Sequence, residues 1–93
     1  SAAHVRARLR ELGVSILADD THRIANPPSL QTVLTVTRGA QSGVVSVWIF
    51  DREIDAVQNE DALASASMTV ARDGSTVVAT SLGGRALIDA ITR

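Results

Sequence analysis

Asp19, Asp20 and His22 stand close together and offer two carboxylates and an imidazole, a donor set that divalent cations accept. A metal centre needs further ligands converging from elsewhere, and no spacing in the chain supplies them. The expectation is a hydrated acidic connection and no metal site. Asp51, Glu53 and Asp55 alternate like the first ligands of an EF-hand loop. Such a loop then requires glycine at 56 and glutamate at 62, where this chain has Ala56 and Ala62. The three acids are therefore expected to open a helix, with Asp51 as its cap and Glu53 and Asp55 at its positive end.

Ser81-Leu82-Gly83-Gly84 precedes a helical segment, a place where backbone N–H groups can hold an anion. It lacks the Walker lysine and the glycine spacing of a dinucleotide loop, so no phosphate cofactor is expected. Covalent catalysis has little to draw on, since cysteine, lysine and tyrosine are absent. The two histidines, His4 and His22, have no spacing that specifies a base held by a third group. A carboxylate pair for glycoside chemistry needs a deep cleft, for which 93 residues leave little room. No catalytic, cofactor-binding or metal residue is expected, and the chain is read as a non-enzyme.

What remains is surface. Trp48 and Phe50 alternate onto one face of an apolar strand and could anchor a partner. The other reading is core packing: Trp48 lies between sheet and helix, with Ile54, Val57, Leu87, Ile88 and Ile91 turned towards it. Arg6 and Arg10, with Arg8, offer a patch for an anionic partner; the rival reading is a solvated helix face. Trp48, Phe50, Arg6 and Arg10 are the candidate partner face.

The elements that must position these residues follow from periodicity. Val5, Leu9 and Leu12 fall on one helical face, closed by Gly13. Val14–Ala18 reads as a short strand, Asp19–Arg23 as a polar connection, and Asn26-Pro27-Pro28-Ser29 as a loop. Leu30–Thr37 alternates, with Leu30, Thr32, Leu34 and Val36 on one side and a wetter second side. Arg38–Gly43 is expected as a hairpin loop leading to Val44–Phe50, the strand around which the chain is organised. The helix from Asp51 fades towards Ala66. Ser67–Ala71 and Thr76–Ser81 are strands joined at Asp73-Gly74, and Arg85–Arg93 is a last helix with Leu87, Ile88 and Ile91 inward. The order α-β-β-β-α-β-β-α predicts an α+β two-layer sandwich, an antiparallel sheet of about five strands with helices mainly on one face, as a single domain.

A net charge of −1 argues against nonspecific nucleic-acid binding, which needs a basic stripe. No apolar run approaches the roughly 20 residues needed to span a bilayer. The chain shows neither an initiator Met nor a signal region and reads as a processed fragment.

The leading helix Val5-Arg6-Ala7-Arg8-Leu9-Arg10-Glu11-Leu12-Gly13, the proline-bearing loop, the hairpin ending Val47-Trp48-Ile49-Phe50-Asp51 and the hairpin Met68 to Ala79 together resemble small uncharacterised α+β domains of bacterial envelope lipoproteins. The resemblance covers most of the chain and rests on pattern. It implies an extracytoplasmic binding or accessory module, with a lipid anchor upstream and no small-molecule substrate. The same element order resembles type III secretion chaperones, which implies as an alternative a cytoplasmic homodimeric adaptor binding a protein partner.

Overall fold

Gln41–Phe50 forms the middle strand of a five-stranded antiparallel sheet, and its two faces build two separate cores. The computed structural model describes residues 1–63 and 68–93. In chain order the elements are α1 (Ala2–Glu11), β1 (Ser15–Ile24), β2 (Ser29–Arg38), β3 (Gln41–Phe50), α2 (Glu53–Leu63), β4 (Thr69–Asp73), β5 (Thr76–Thr80) and α3 (Gly84–Thr92). The sheet order is β1-β2-β3-β5-β4, with every neighbouring pair antiparallel. This is the expected α+β architecture with the expected order. The part of the predicted second helix beyond Leu63, and the predicted strand start at Ser67, lie outside the described residues.

Both hairpin loops are tighter or shifted relative to the sequence reading. Arg38 pairs with Gln41, so the expected loop Arg38–Gly43 shrinks to Gly39-Ala40. Asp73 pairs with Thr76, which makes the second turn Gly74-Ser75 rather than one centred on Asp73-Gly74. Gly39 and Gly74 have φ of 60° and 61°, whereas Ala40 and Ser75 do not have positive φ. A positive φ at the first central position alone is the sign pattern of a type II′ turn, whose twist suits a two-residue hairpin.

The largest correction concerns β1. The expected short strand and polar connection are one ten-residue strand, paired with β2 from Ser15 to Ile24. Polar residues are tolerated because β1 is an edge strand whose residues are exposed or half-exposed throughout, and the ladder needs only backbone groups. A register shift between Ile16 and Ala18 marks a bulge at Leu17.

Side-chain alternation assigns the layers. Leu34, Val36, Val45, Val47 and Val78 point to one face, where Val5 and Leu9 of α1 and Leu87, Ile88 and Ile91 of α3 close the larger core. Phe50 and Val77 point to the other face, packed with Ala56 of α2, and with Trp48, Leu63 and Val70 half-buried around them. Two helices therefore cover one face and one covers the other. The apolar residues of α2 are not where periodicity put them. Ile54 and Val57 are 50% and 48% exposed, while Asp55 and Ala56 are buried. The small Ala56 lets the helix approach Phe50 and Val77, and Asp55 comes inward with its carboxylate bonded to Arg52 at 3.0 Å.

Trp48 is accordingly not the centre of the main core. It is half-buried at the margin of the α2 cluster, and Leu87, Ile88 and Ile91 pack across the sheet from it. Asp51 is not a helix cap either: its two carboxylate oxygens accept from Arg23 Nη2 at 3.0 and 2.9 Å. Leu12 follows α1 at its C-cap and is partly exposed, so Val5 and Leu9 alone carry that helix's buried stripe.

Candidate functional site

Alternation along β1 separates the residues that could have shared a cation. Asp19 points to the α1 side and takes a two-point bond from Arg6, Nε to Oδ2 at 2.6 Å and Nη2 to Oδ1 at 3.1 Å. Asp20 and His22 point to the opposite face, with Nδ1 and Oδ2 at 3.6 Å. Among the described residues no three His, Asp or Glu side chains gather where a metal could sit. Asp51, Glu53 and Asp55 are likewise divided, each facing an arginine: Arg23 at 2.9 Å, Arg72 at 3.6 Å and Arg52 at 3.0 Å.

Two of these pairs move the groups' proton affinities. The hydrogen bond from Arg6 is the main cause holding the Asp19 carboxyl below its ordinary value; desolvation opposes it, and the charges of Arg6 and Arg10 add to it. Arg6 is raised by the same hydrogen bond, and Arg52 by its bond to Asp55. Both effects are the ordinary behaviour of oppositely charged neighbours, the first in a partly solvated pair and the second between an exposed Arg52 and a buried Asp55.

The segment before α3 is built for packing. Gly83 caps α3 with φ of 80°, and a Cβ there would lie 2.6 Å from Leu87 Cδ2. The neighbouring hydroxyls are already engaged: Ser81 Oγ accepts from Val44 N at 2.9 Å, and Thr80 Oγ1 accepts from Leu82 N at 3.0 Å.

The four residues of the sequence-derived partner face do not converge. Phe50 is 4% exposed and packs against Val77 and Ala56. Trp48 is half-buried beside it. Arg6 and Arg10 belong to α1, over the opposite face of the sheet; Arg6 is held by Asp19, and Arg10 is exposed. Arg8, read as a solvated face residue, donates from Nε to Ala90 O at 3.0 Å and pairs with Glu11 at 2.8 Å, tying α1 to α3.

The surface has two other features. A cleft of about 320 Å³ lies between β4 and the end of α3, lined by Ala71, Arg72, Asp73, Asp89, Thr92 and Arg93. It adjoins a cleft of about 230 Å³ that reaches Ser1 and His4, where the His4 Nε2 lies 2.7 Å from Arg93 O. The mixed charges of the lining match no single ligand class. The second feature is β1. As the first strand of the sheet order, it has no strand on its outer side among the described residues. Its surface carries Asp20 and His22, and Leu17 stands 66% exposed at the bulge. The sequence reveals only the first part of this strand, to Ala18, and presents Asp19–Arg23 as a connection, because a strand wet on both faces has no apolar alternation to reveal it.

No family model, no curated protein and no solved structure matches this chain. No helix among the described residues is long and apolar enough to cross a membrane.

Proposed function

We propose that this chain is a non-enzymatic binding module, of the kind carried by bacterial envelope lipoproteins, which engages a protein partner along β1. The observation that supports the reading is the outer edge of β1: ten residues of extended backbone whose outward N–H and C=O groups have no strand beside them among the described residues. Such an edge is a template for an added strand, with main-chain hydrogen bonds giving affinity and alternate side chains giving selectivity.

The envelope setting rests on the pattern resemblance of the helix, proline loop and hairpins. Selection of displayed extended peptides, followed by amide hydrogen exchange, tests the binding surface. Selected peptides are expected to slow exchange along 15–24 and to leave α2 unchanged. Protection confined to the cleft between β4 and α3 would move the site there and overturn this reading.

The alternative is a cytoplasmic, type III secretion chaperone-like adaptor acting as a homodimer. It uses the same edge and differs in compartment. The coding sequence upstream of Ser1 separates the two: a signal peptide ending in a lipidated cysteine supports the envelope, and a start codon immediately upstream supports the cytoplasm.

A further inference from the structure

We infer that β1 pairs with β1 of a second copy of this chain, antiparallel and in one defined register, so that two five-stranded sheets continue as one. The inference rests on the reading of β1 as a binding edge and names its occupant.

Two copies of one strand, joined edge to edge by a two-fold axis normal to the sheet, pair symmetrically about a central residue. Each residue then faces one on the same side of the sheet. With Thr21 opposite Thr21 of the second copy, Asp19 faces Arg23 and Asp20 faces His22, each combination occurring twice, and Ala18 faces Ile24. The acids occupy one half of the segment and the bases the other, so the segment complements itself when reversed. The neighbouring registers lose this match. A centre at Asp20 sets carboxylate against carboxylate and Leu17 against Arg23. A centre at His22 sets imidazole against imidazole and Asp20 against Ile24. Opposite charges directly across a ladder stabilise pairing and like charges oppose it.

The remaining geometry agrees. Pairing with β2 runs without a register break from Ala18 to Ile24, so that stretch is regular backbone on which a further strand can be laid. Asp20 and His22 have side chains 81% and 48% exposed, and within one chain they come no closer than 3.6 Å. On the other face, Asp19 is held by Arg6 and Arg23 by Asp51. Pairing in this register joins these into a line of alternating charge, Arg6–Asp19–Arg23–Asp51, across the junction. Charges on an edge strand repel unrelated strands; here their order makes the edge selective for its own sequence.

Sedimentation equilibrium from micromolar to millimolar protein tests the association. The mass is expected to rise from 9.8 kDa towards twice that value. The register is read by cross-linking, for which the absence of native cysteine leaves a clean background. Thr21→Cys is expected to oxidise to a covalent dimer, because opposed Cα atoms lie about 4.5–5.5 Å apart, within the disulfide range of about 4.4–6.8 Å. Ala18→Cys alone is not expected to cross-link, whereas a mixture of Ala18→Cys and Ile24→Cys chains is. His22→Asp, at an exposed position, is expected to weaken the dimer about tenfold, and Asp20→Arg added to it to restore the association. A monomer at millimolar concentration, a dimer indifferent to His22→Asp, or cross-linking by Ala18→Cys alone equal to that by Thr21→Cys would overturn the inference. A monomeric chain whose selected peptides still protect β1 loses self-pairing and keeps the binding edge. A chain that neither self-associates nor protects β1 loses both.

Discussion

β4 and β1 are both outer strands of the sheet, yet they are treated very differently by the rest of the molecule. β4 is five residues long and lies between α2 on one face and α3 on the other, with Arg72 reaching Glu53 and Glu60 of α2 at 3.6 and 3.5 Å. β1 is twice that length, with α1 resting against it. One outer strand is short and has a helix packed against each face, which is protection by brevity and packing. The other is long and bears Asp19, Asp20, His22 and Arg23, which is protection by charge. Packing excludes every partner alike. A charge pattern excludes most partners and admits one whose pattern is its complement.

The sharpest way to break this contrast is to weaken the packed side. Ile88 is fully buried in the larger core, so Ile88→Ala is expected to cost about 2–5 kcal/mol in urea unfolding. Leu17→Ala, on the exposed bulge of β1, is expected to stay within about 0.5 kcal/mol of wild type. Equal losses at the two positions would mean that the two sides of the sheet do not differ in the way described.

Trp48 stands between the two regimes, opposite Gln31 on the β1 side and Val77 on the β4 side. Because it is half-buried, Trp48→Ala is expected to cost about 1–3 kcal/mol, below the ~3–5 kcal/mol of a fully buried tryptophan. The indole should emit between the wavelengths of buried and water-exposed tryptophan and be partly quenched by acrylamide. Emission like that of free tryptophan with no change in stability would place it on the bare side.

The smallest effect concerns the ion pair that joins α1 to β1. The Asp19 carboxyl is held below its ordinary value chiefly by the hydrogen bond from Arg6. A depressed acid contributes stability above its unfolded pKa, about 3.9, and loses it as pH falls through the lowered folded value. Arg6→Ala should return the Asp19 titration, followed by carboxyl NMR, towards the ordinary range. It should remove about 0.2–1 kcal/mol at neutral pH, since both side chains are partly solvated, and the loss should shrink in high salt. An unmoved titration would show that the pair does not form in solution.

Legibility in the sequence followed burial. β3, β5 and α3 were readable because each has an apolar face in a core, and Leu87, Ile88 and Ile91 point where their spacing says. The sequence presents β1 as half strand and half connection, since backbone pairing at an edge leaves no trace in side-chain pattern. In α2 the pattern misled: Ile54 and Val57 face water, while the small Ala56 makes the contact and Asp55 is brought in by Arg52. The candidate surface was illegible for a further reason. Phe50 offers an anchor in the sequence, but α2 folds over it, and only the three-dimensional arrangement reveals that both apolar faces of the strand are covered by helices.

The contact of His4 with Arg93 O, and the cleft shared by Ser1 and Arg93, place the start of α1 beside the end of α3. A few linking residues there, with new ends opened at Gly39-Ala40, would give a circular permutant that keeps every strand pair and every helix contact. Cuts at exposed turns are the ones such rearrangements tolerate. The permutant would turn the α1–α3 contact from one of the most distant in sequence into a local one and the β2–β3 hairpin from local into distant. Folding rate depends on how far apart contacting residues lie along the chain. Comparing the two connectivities would therefore show whether assembly starts from the hairpin or from the helix pair, with the native structure held constant.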